Sequence, residues 1–336
     1  MWNCRLFKFL IVGFVVNLAE WKATVTATSS SSSSFPTWTQ DTPNKHGLPL
    51  TELNVDMQLK TSLPRDLQDD LLFLSHESAT LQVNETSAIA KSNDDAPLIE
   101  SSLLSALLVQ HGNGTTGPTT LVNGTTRVGL VKMACNTTDG ARKLGATLAA
   151  LVVQSSSSTP ETGLRCTIDF SAWNGTERAD LWTEFAASLW LGFYSDIRFR
   201  GPGAPKRSTH SVTLVVPEDC AAVAQQGLQQ GRILAQAVAL SRDVVNAPHN
   251  VLNSQSLAQT AIDLARRYRR TLSCRVMSAD ECESLGMGAF LGVARGSETT
   301  ARFIHLTYKP KSRKDRKNCK VLGIVGKGLL FDTGGL

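Results

Sequence analysis

Between residues 127 and 246 the chain alternates strand-like and helix-like runs, then holds one long helical pattern that a proline stops. Residues 127–133, 164–170 and 211–216 are short apolar runs with strand character, while 139–151 and 176–194 carry apolar residues at helical spacing. Such alternation packs most simply as helices layered on a sheet, so the expectation is an α/β fold. Residues 218–245 form the longest helical pattern, rich in Ala, Leu and Gln, and it stops at Asn246, Ala247 and Pro248. A long helix closed by proline, with a new α/β pattern behind it, reads as a connector between domains. Past it, Ser254 and Ser256 are candidate caps for a helix running to Arg270. Three strand-like runs follow at 288–294, 302–308 and 320–325.

Length and composition bound the rest. At 336 residues the chain is long enough for about two domains. With 42% hydrophobic and 19% charged residues it is neither a disordered nor a fibrous chain. The seven cysteines contain no CxxC pair, which speaks against a thiolate zinc site and a disulfide scaffold. The net charge of +5 falls short of a dedicated nucleic-acid binder.

The N-terminus reads as an address. Arg5 and Lys8 precede an apolar run over 9–16 that is too short to span a bilayer, and Val25, Thr26 and Ala27 offer a small-residue cleavage site. Six serines at 29–34 in an acid-poor stretch also fit an organelle transit segment. Residues 1–45 are therefore set aside as a targeting segment. The resulting expectation is an N-terminal α/β domain over 46–217, a connector helix over 218–247 and an incomplete α/β catalytic domain over 248–336. Five N-x-S/T sequons, at Asn84, Asn113, Asn123, Asn136 and Asn174, add weak support for a secretory route.

Chemistry concentrates at residues 325–335, Val-Gly-Lys-Gly-Leu-Leu-Phe-Asp-Thr-Gly-Gly. An apolar strand runs into a loop with four glycines, one lysine and one aspartate, the place where open α/β sheets hold ligands. A phosphate loop is excluded by spacing, because its lysine follows the second glycine and here Gly328 follows Lys327. From the residues alone, a plain structural turn with an exposed lysine and an Asx turn at Asp332 remains open.

Residues 326–335 resemble the metal-binding loop of the leucyl aminopeptidase (cytosol aminopeptidase) family. Residues 245–251 (Val-Asn-Ala-Pro-His-Asn-Val) resemble the Asn-x-Pro-x-Asn segment after its interdomain helix, and 285–297 resemble its Gly-Met-Gly…Gly-Ser stretch. Residues 302–310 are similar to the strand before its metal loop, and 186–198 to a segment of its N-terminal domain. The resemblance implies metal-dependent release of N-terminal residues from peptides, with a leucine-type preference and a water activated by two divalent ions. Zinc or manganese, with magnesium a third option, would suit such a site. Carried onto this chain, Lys327 is a metal ligand, as a neutral amine, and Asp332 bridges the two ions. The family's later ligands and its catalytic lysine and arginine have no counterpart here, so no catalytic residue is assigned. The expectation is a fragment of an aminopeptidase, inactive as it stands. The alternative is a non-catalytic binding or assembly protein built on the N-terminal domain.

The resemblance further implies peptide substrates, a homo-hexamer and a cytoplasmic home, against which the signal-like start points to secretory or plastid-type import. No stable membrane span is expected. The run 309–320 has seven basic residues and one acid, yet no aromatic interleaves for base stacking, so it reads as a solvated loop and no nucleic-acid partner is expected. The cations of Arg266–Arg270 suit a helix end. His249 has no nucleophile to pair with, and Trp182 and Trp190 read as core.

Overall fold

The computed structural model describes residues 5–11, 48, 50, 51, 53, 55–61, 71–76, 121–123, 126–132, 135–156, 163–171, 173, 175–201, 209–310 and 320–330. The chain divides into two compact units, Leu53–Val238 and, together, Met1–Glu52 with Ala239–Leu336. The first strand, β1 (Arg5–Ile11), belongs to the second of these.

The 53–238 unit contains β2 (Val55–Lys60), β3 (Leu71–His76), β4 (Leu121–Asn123), β5 (Thr126–Lys132), α1 (Thr138–Ser155), β6 (Arg165–Asp169), α2 (Ala179–Gly192) and β7 (His210–Val215). It also holds most of α3 (Ala221–Asn246), which runs on into the other unit. The strands form one sheet in the order β2-β7-β6-β3-β5-β4, parallel throughout except for the β4–β5 pair. Burial follows position. The edge strand β2 buries Val55 and exposes Asp56, Gln58 and Lys60, whereas central β6 buries four of its five residues. A parallel strand covered on both faces has no solvent side to leave polar.

Two features make this core tight. Phe170, Trp173, Trp182 and Phe185 stack tilted or edge-on with ring centroids 4.7–6.1 Å apart, and both indoles reach a carbonyl, Trp173 that of Cys135 (2.8 Å) and Trp182 that of Thr176 (2.9 Å). Their polar edges are thus satisfied while their faces are buried. Helix α1, capped by Thr137 accepting from Gly140 N–H at 3.1 Å, lies against α2 so closely that a Cβ at Gly145 would sit 2.3 Å from the carbonyl oxygen of Phe185. Only glycine fits there. Trp182 and Trp190 are core, as the sequence indicates.

The second unit contributes α4 (Ser254–Arg267), β8 (Leu272–Met277), α5 (Ala279–Ser284), α6 (Gly288–Ala294), β9 (Phe303–Tyr308) and β10 (Lys320–Val325). Its sheet has the order β10-β1-β9-β8. Strand β1 runs parallel to β10, with Arg5 opposite Lys320 and Leu10 opposite Val325, and antiparallel to β9. Leu48, Leu252, Leu257, Ala258, Ala261, Ala265, Ile304 and Leu306 form its core.

Residues 5–11, within the stretch read as an address, form a strand in the sheet. Several expected elements need correction. Strands β2 and β3 precede the region where strand and helix periods are read; the alternation in β2 and the apolar run of β3 are short and flanked by polar residues. Residues 288–294 are helix α6, not a strand. Met287, Phe290 and Leu291 pack on Met277, Cys282 and Phe303, and their i, i+3, i+4 spacing suits one helix face. Helix α4 is capped by Asn253, whose side chain accepts from Gln255 and Ser256 N–H at 3.0 Å each, while Ser256 Oγ accepts from Asn253 N–H at 2.9 Å. Ser256 is the reciprocal half of a capping box rather than the cap, and the helix ends at Arg267.

Candidate active-site loop

The loop that carries the candidate metal ligands leaves the carboxyl end of β10, the end where α/β sheets place ligands. Exposure alternates from residue 321 to 330, so Val321, Gly323, Val325, Lys327 and Leu329 share the exposed set. Lys327 is therefore a solvent-facing amine. Asp332, its expected partner, lies outside the described residues, as does the rest of the Gly-rich end. Among the described residues no three His, Cys, Asp or Glu side chains gather as a metal site. The described part of the loop thus presents one amine and no cage, and no metal step is derived from it.

The other segments of the resemblance have structural roles. Helix α3 ends at Asn246, and Pro248 cannot continue it. The Pro248 carbonyl accepts from Val251 and Leu252 N–H at 2.9 Å each, which turns the chain into the Asn253 cap of α4 and drives Leu252 into the core. His249 sits exposed on that turn. The Gly-Met-Gly stretch is a helix stop. Gly286 has φ +71°, its N–H donates to Glu283 O (2.8 Å), and Met287 N–H donates to Cys282 O (3.0 Å). This pair of bonds closes α5 as a Schellman motif, in which a left-handed residue is needed and glycine supplies it without a Cβ penalty. Met287 then packs beside Cys282, completing the hydrophobic contact such stops favour.

The faint N-terminal match, 186–198, is framework as well. Arg198 is nearly buried, donates to Asp196 at 2.6 and 2.9 Å, and lies 4.8 Å over the Phe199 ring. Burial pushes the Cys274 thiol up to about 11 and also raises that of Cys282, which keeps both in the thiol form.

One residue that sequence reading passed over is Asp243. It is buried on α3 and its carboxylate accepts from Thr51 N–H at 2.7 Å, tying the segment before β2 to the helix. The signal was present: Asp243 continues the apolar stripe of Ala239, Leu240 and Val244, and a carboxylate inside such a stripe needs a donor.

Comparison with known proteins bears on one part of the chain. Residues 239–336 match the catalytic domain of the cytosol aminopeptidase family. Through this segment the chain is similar to that family. A probable cytosol aminopeptidase of Synechococcus sp. (strain JA-3-3Ab) is 43% identical over 156 residues, covering 45% of this chain and 29% of the relative. One of Microcystis aeruginosa is 36% identical over 211 residues, covering 62% and 39%. The chain thus spans between roughly a quarter and two-fifths of the length of these cytosol aminopeptidases. A solved structure of a mutant tomato leucine aminopeptidase superposes with a TM-score of 0.58 over 77% of this chain and 52% of that one, at 23% identity. That likeness establishes the α/β fold alone.

Proposed function

We propose that this chain is part of a metal-dependent aminopeptidase that releases N-terminal residues from peptides, with a leucine-type preference. The observation that carries the reading is the match of 239–336 to the family's catalytic domain, in which residues 326–330 follow the sheet strand β10. Lys327 and Asp332 are the proposed ligands of two divalent ions, zinc or manganese by their mixed nitrogen and oxygen donors, with magnesium as the oxygen-rich alternative. Such ions would supply a water acidified for attack on a peptide carbonyl. The chain's own part is to present an amine at Lys327, which would bind a metal through its neutral nitrogen.

We infer that the 336-residue chain is inactive by itself, since two donors leave most of a two-metal coordination shell to water. Hydrolysis of a leucine anilide with zinc or manganese supplied is the test. No turnover above the metal-only control is expected, and turnover abolished by Lys327→Ala would discard the inactivity while upholding the ligand assignment. Titration calorimetry with zinc checks the ligands separately: Asp332→Asn should weaken whatever binding the chain shows. A homo-hexamer is proposed from the resemblance, to be checked by sedimentation. The address reading of residues 1–45 is proposed on their composition, and fusing them to a fluorescent protein tests secretory or plastid-type import against a cytoplasmic location. Among the described residues no helix is long and apolar enough to cross a membrane.

A further inference from the structure

The C-terminal end of α4 gathers cations that the sequence presents as two separate runs. Arg266, Arg267, Arg269 and Arg270 flank Tyr268, and all five residues are exposed, Tyr268 by 44%. Their turn is fixed by its backbone: Tyr268 N–H donates to Leu264 O (3.1 Å), and the Tyr268 carbonyl accepts from Thr271 and Leu272 N–H (2.9 and 2.8 Å). Strand β8 then places Leu272 opposite Tyr308 of β9, and Lys309 N–H donates to Thr271 O at 2.7 Å. That bond sets exposed Lys309 beside the arginine turn, although 38 positions separate it from Thr271 in the chain.

A helix end explains only part of this. Arg266 and Arg267 lie in the last turn of α4, where cations oppose the dipole, and Arg266 also meets Asp263 at 3.2 Å. Arg269, Arg270 and Lys309 lie beyond the helix, and their side chains have no ion-pair partner among the described residues. Guanidinium groups match phosphate oxygens in paired hydrogen bonds, and an exposed tyrosine ring offers a face on which a base stacks. An anionic membrane would need apolar residues beside the cations, but the apolar face of α4 (Leu257, Ala258, Ala261, Leu264, Ala265) is buried. An acidic polypeptide would leave the Tyr268 face unused. The sequence run 309–320 lacks an aromatic, which argued against nucleic acid; the fold sets the first residue of that run, Lys309, beside the turn that carries Tyr268.

We propose that the turn at 266–270, with Lys309, binds single-stranded nucleic acid, its phosphates on Arg269, Arg270 and Lys309 and one base stacked on Tyr268. The site does not depend on the peptidase reading. The test is fluorescence anisotropy of a labelled short oligouridylate with the full chain across a salt series. Tyr268→Ala should weaken binding about tenfold while Tyr268→Phe retains it. The triple variant Arg269→Ala, Arg270→Ala, Lys309→Ala should flatten the slope of log affinity against log salt by about two. Circular dichroism checks that each variant is folded. The proposal is overturned by no binding at low salt, by binding that all variants share unchanged, or by polyglutamate or phosphatidylserine vesicles binding where oligouridylate does not.

Discussion

Two sheets in one chain are finished to different degrees. In the 53–238 unit the parallel strands β6 and β7 are covered on both faces, and Trp182, Phe170 and Phe185 are wholly enclosed. In the 239–336 unit, β10 has an equally apolar sequence, Lys-Val-Leu-Gly-Ile-Val, yet Val321 and Val325 are 58% and 72% exposed. Leu285 and Val293 of the same unit are open as well. The lesson is that an apolar strand sequence sets what a strand can bury, while its neighbours decide what it does bury. The first sheet is sealed on both faces; the second leaves β10 and the start of the loop after it exposed.

That comparison can be broken or sharpened by mutation. Trp182→Ala should cost the most, about 3–5 kcal/mol, because it empties the centre of a packed aromatic cluster. A shift in the chemical-denaturation midpoint, with hydrogen exchange accelerated in 53–238 peptides, is the readout; an unshifted midpoint would mean that the cluster is not the anchor of that unit. Gly286→Ala comes next, at about 1–2 kcal/mol, since φ +71° strains any L side chain. Exchange at Gly286 and Met287 N–H should rise in this variant, and an unchanged rate would remove the Schellman motif from the account.

His210 gives a pH-dependent contrast. Its Nδ1 accepts from Leu164 N–H at 3.3 Å beside the Phe193 ring, and burial holds its pKa below the ordinary imidazole value of about 6.5. The unfolded chain therefore binds this proton first. The stability is fully present above the unfolded pKa and falls as pH drops below it, levelling only under the folded pKa. Melting temperature of the wild type should decline from neutral to mildly acidic pH more steeply than that of His210→Gln; parallel curves would show that His210 is not the titrating group. Val325→Thr should have the smallest effect, within about 0.5 kcal/mol, as a solvent-facing change on β10. A large loss there would mean that the exposed face of β10 is covered in solution.

Much of the framework was legible beforehand. The strand and helix periods over 127–246 and the proline stop at Pro248 foretold five elements and the long helix, because local spacing reports which face is buried. Residues 288–294 misled, since Gly-Ala-Phe-Leu-Gly-Val-Ala is an apolar run compatible with either period, and only the packing of Phe290 against Phe303 (5.6 Å, near-perpendicular rings) selects the helix. Asp243 was missed because its partner, Thr51 N–H, lies 192 residues away.

The sequence by itself determined the α/β class, the long helix that stops before Pro248 and the likeness of its last third to an aminopeptidase catalytic domain, all of which follow from local patterns and short motifs. Tertiary structure alone decided which apolar strand is sealed and which stays open, that Arg5–Ile11 pairs between β9 and β10, and that Lys309 stands beside the Arg269–Arg270 turn. Those outcomes depend on contacts between distant segments, whose formation rests on the fit of whole surfaces rather than on any residue's own preference.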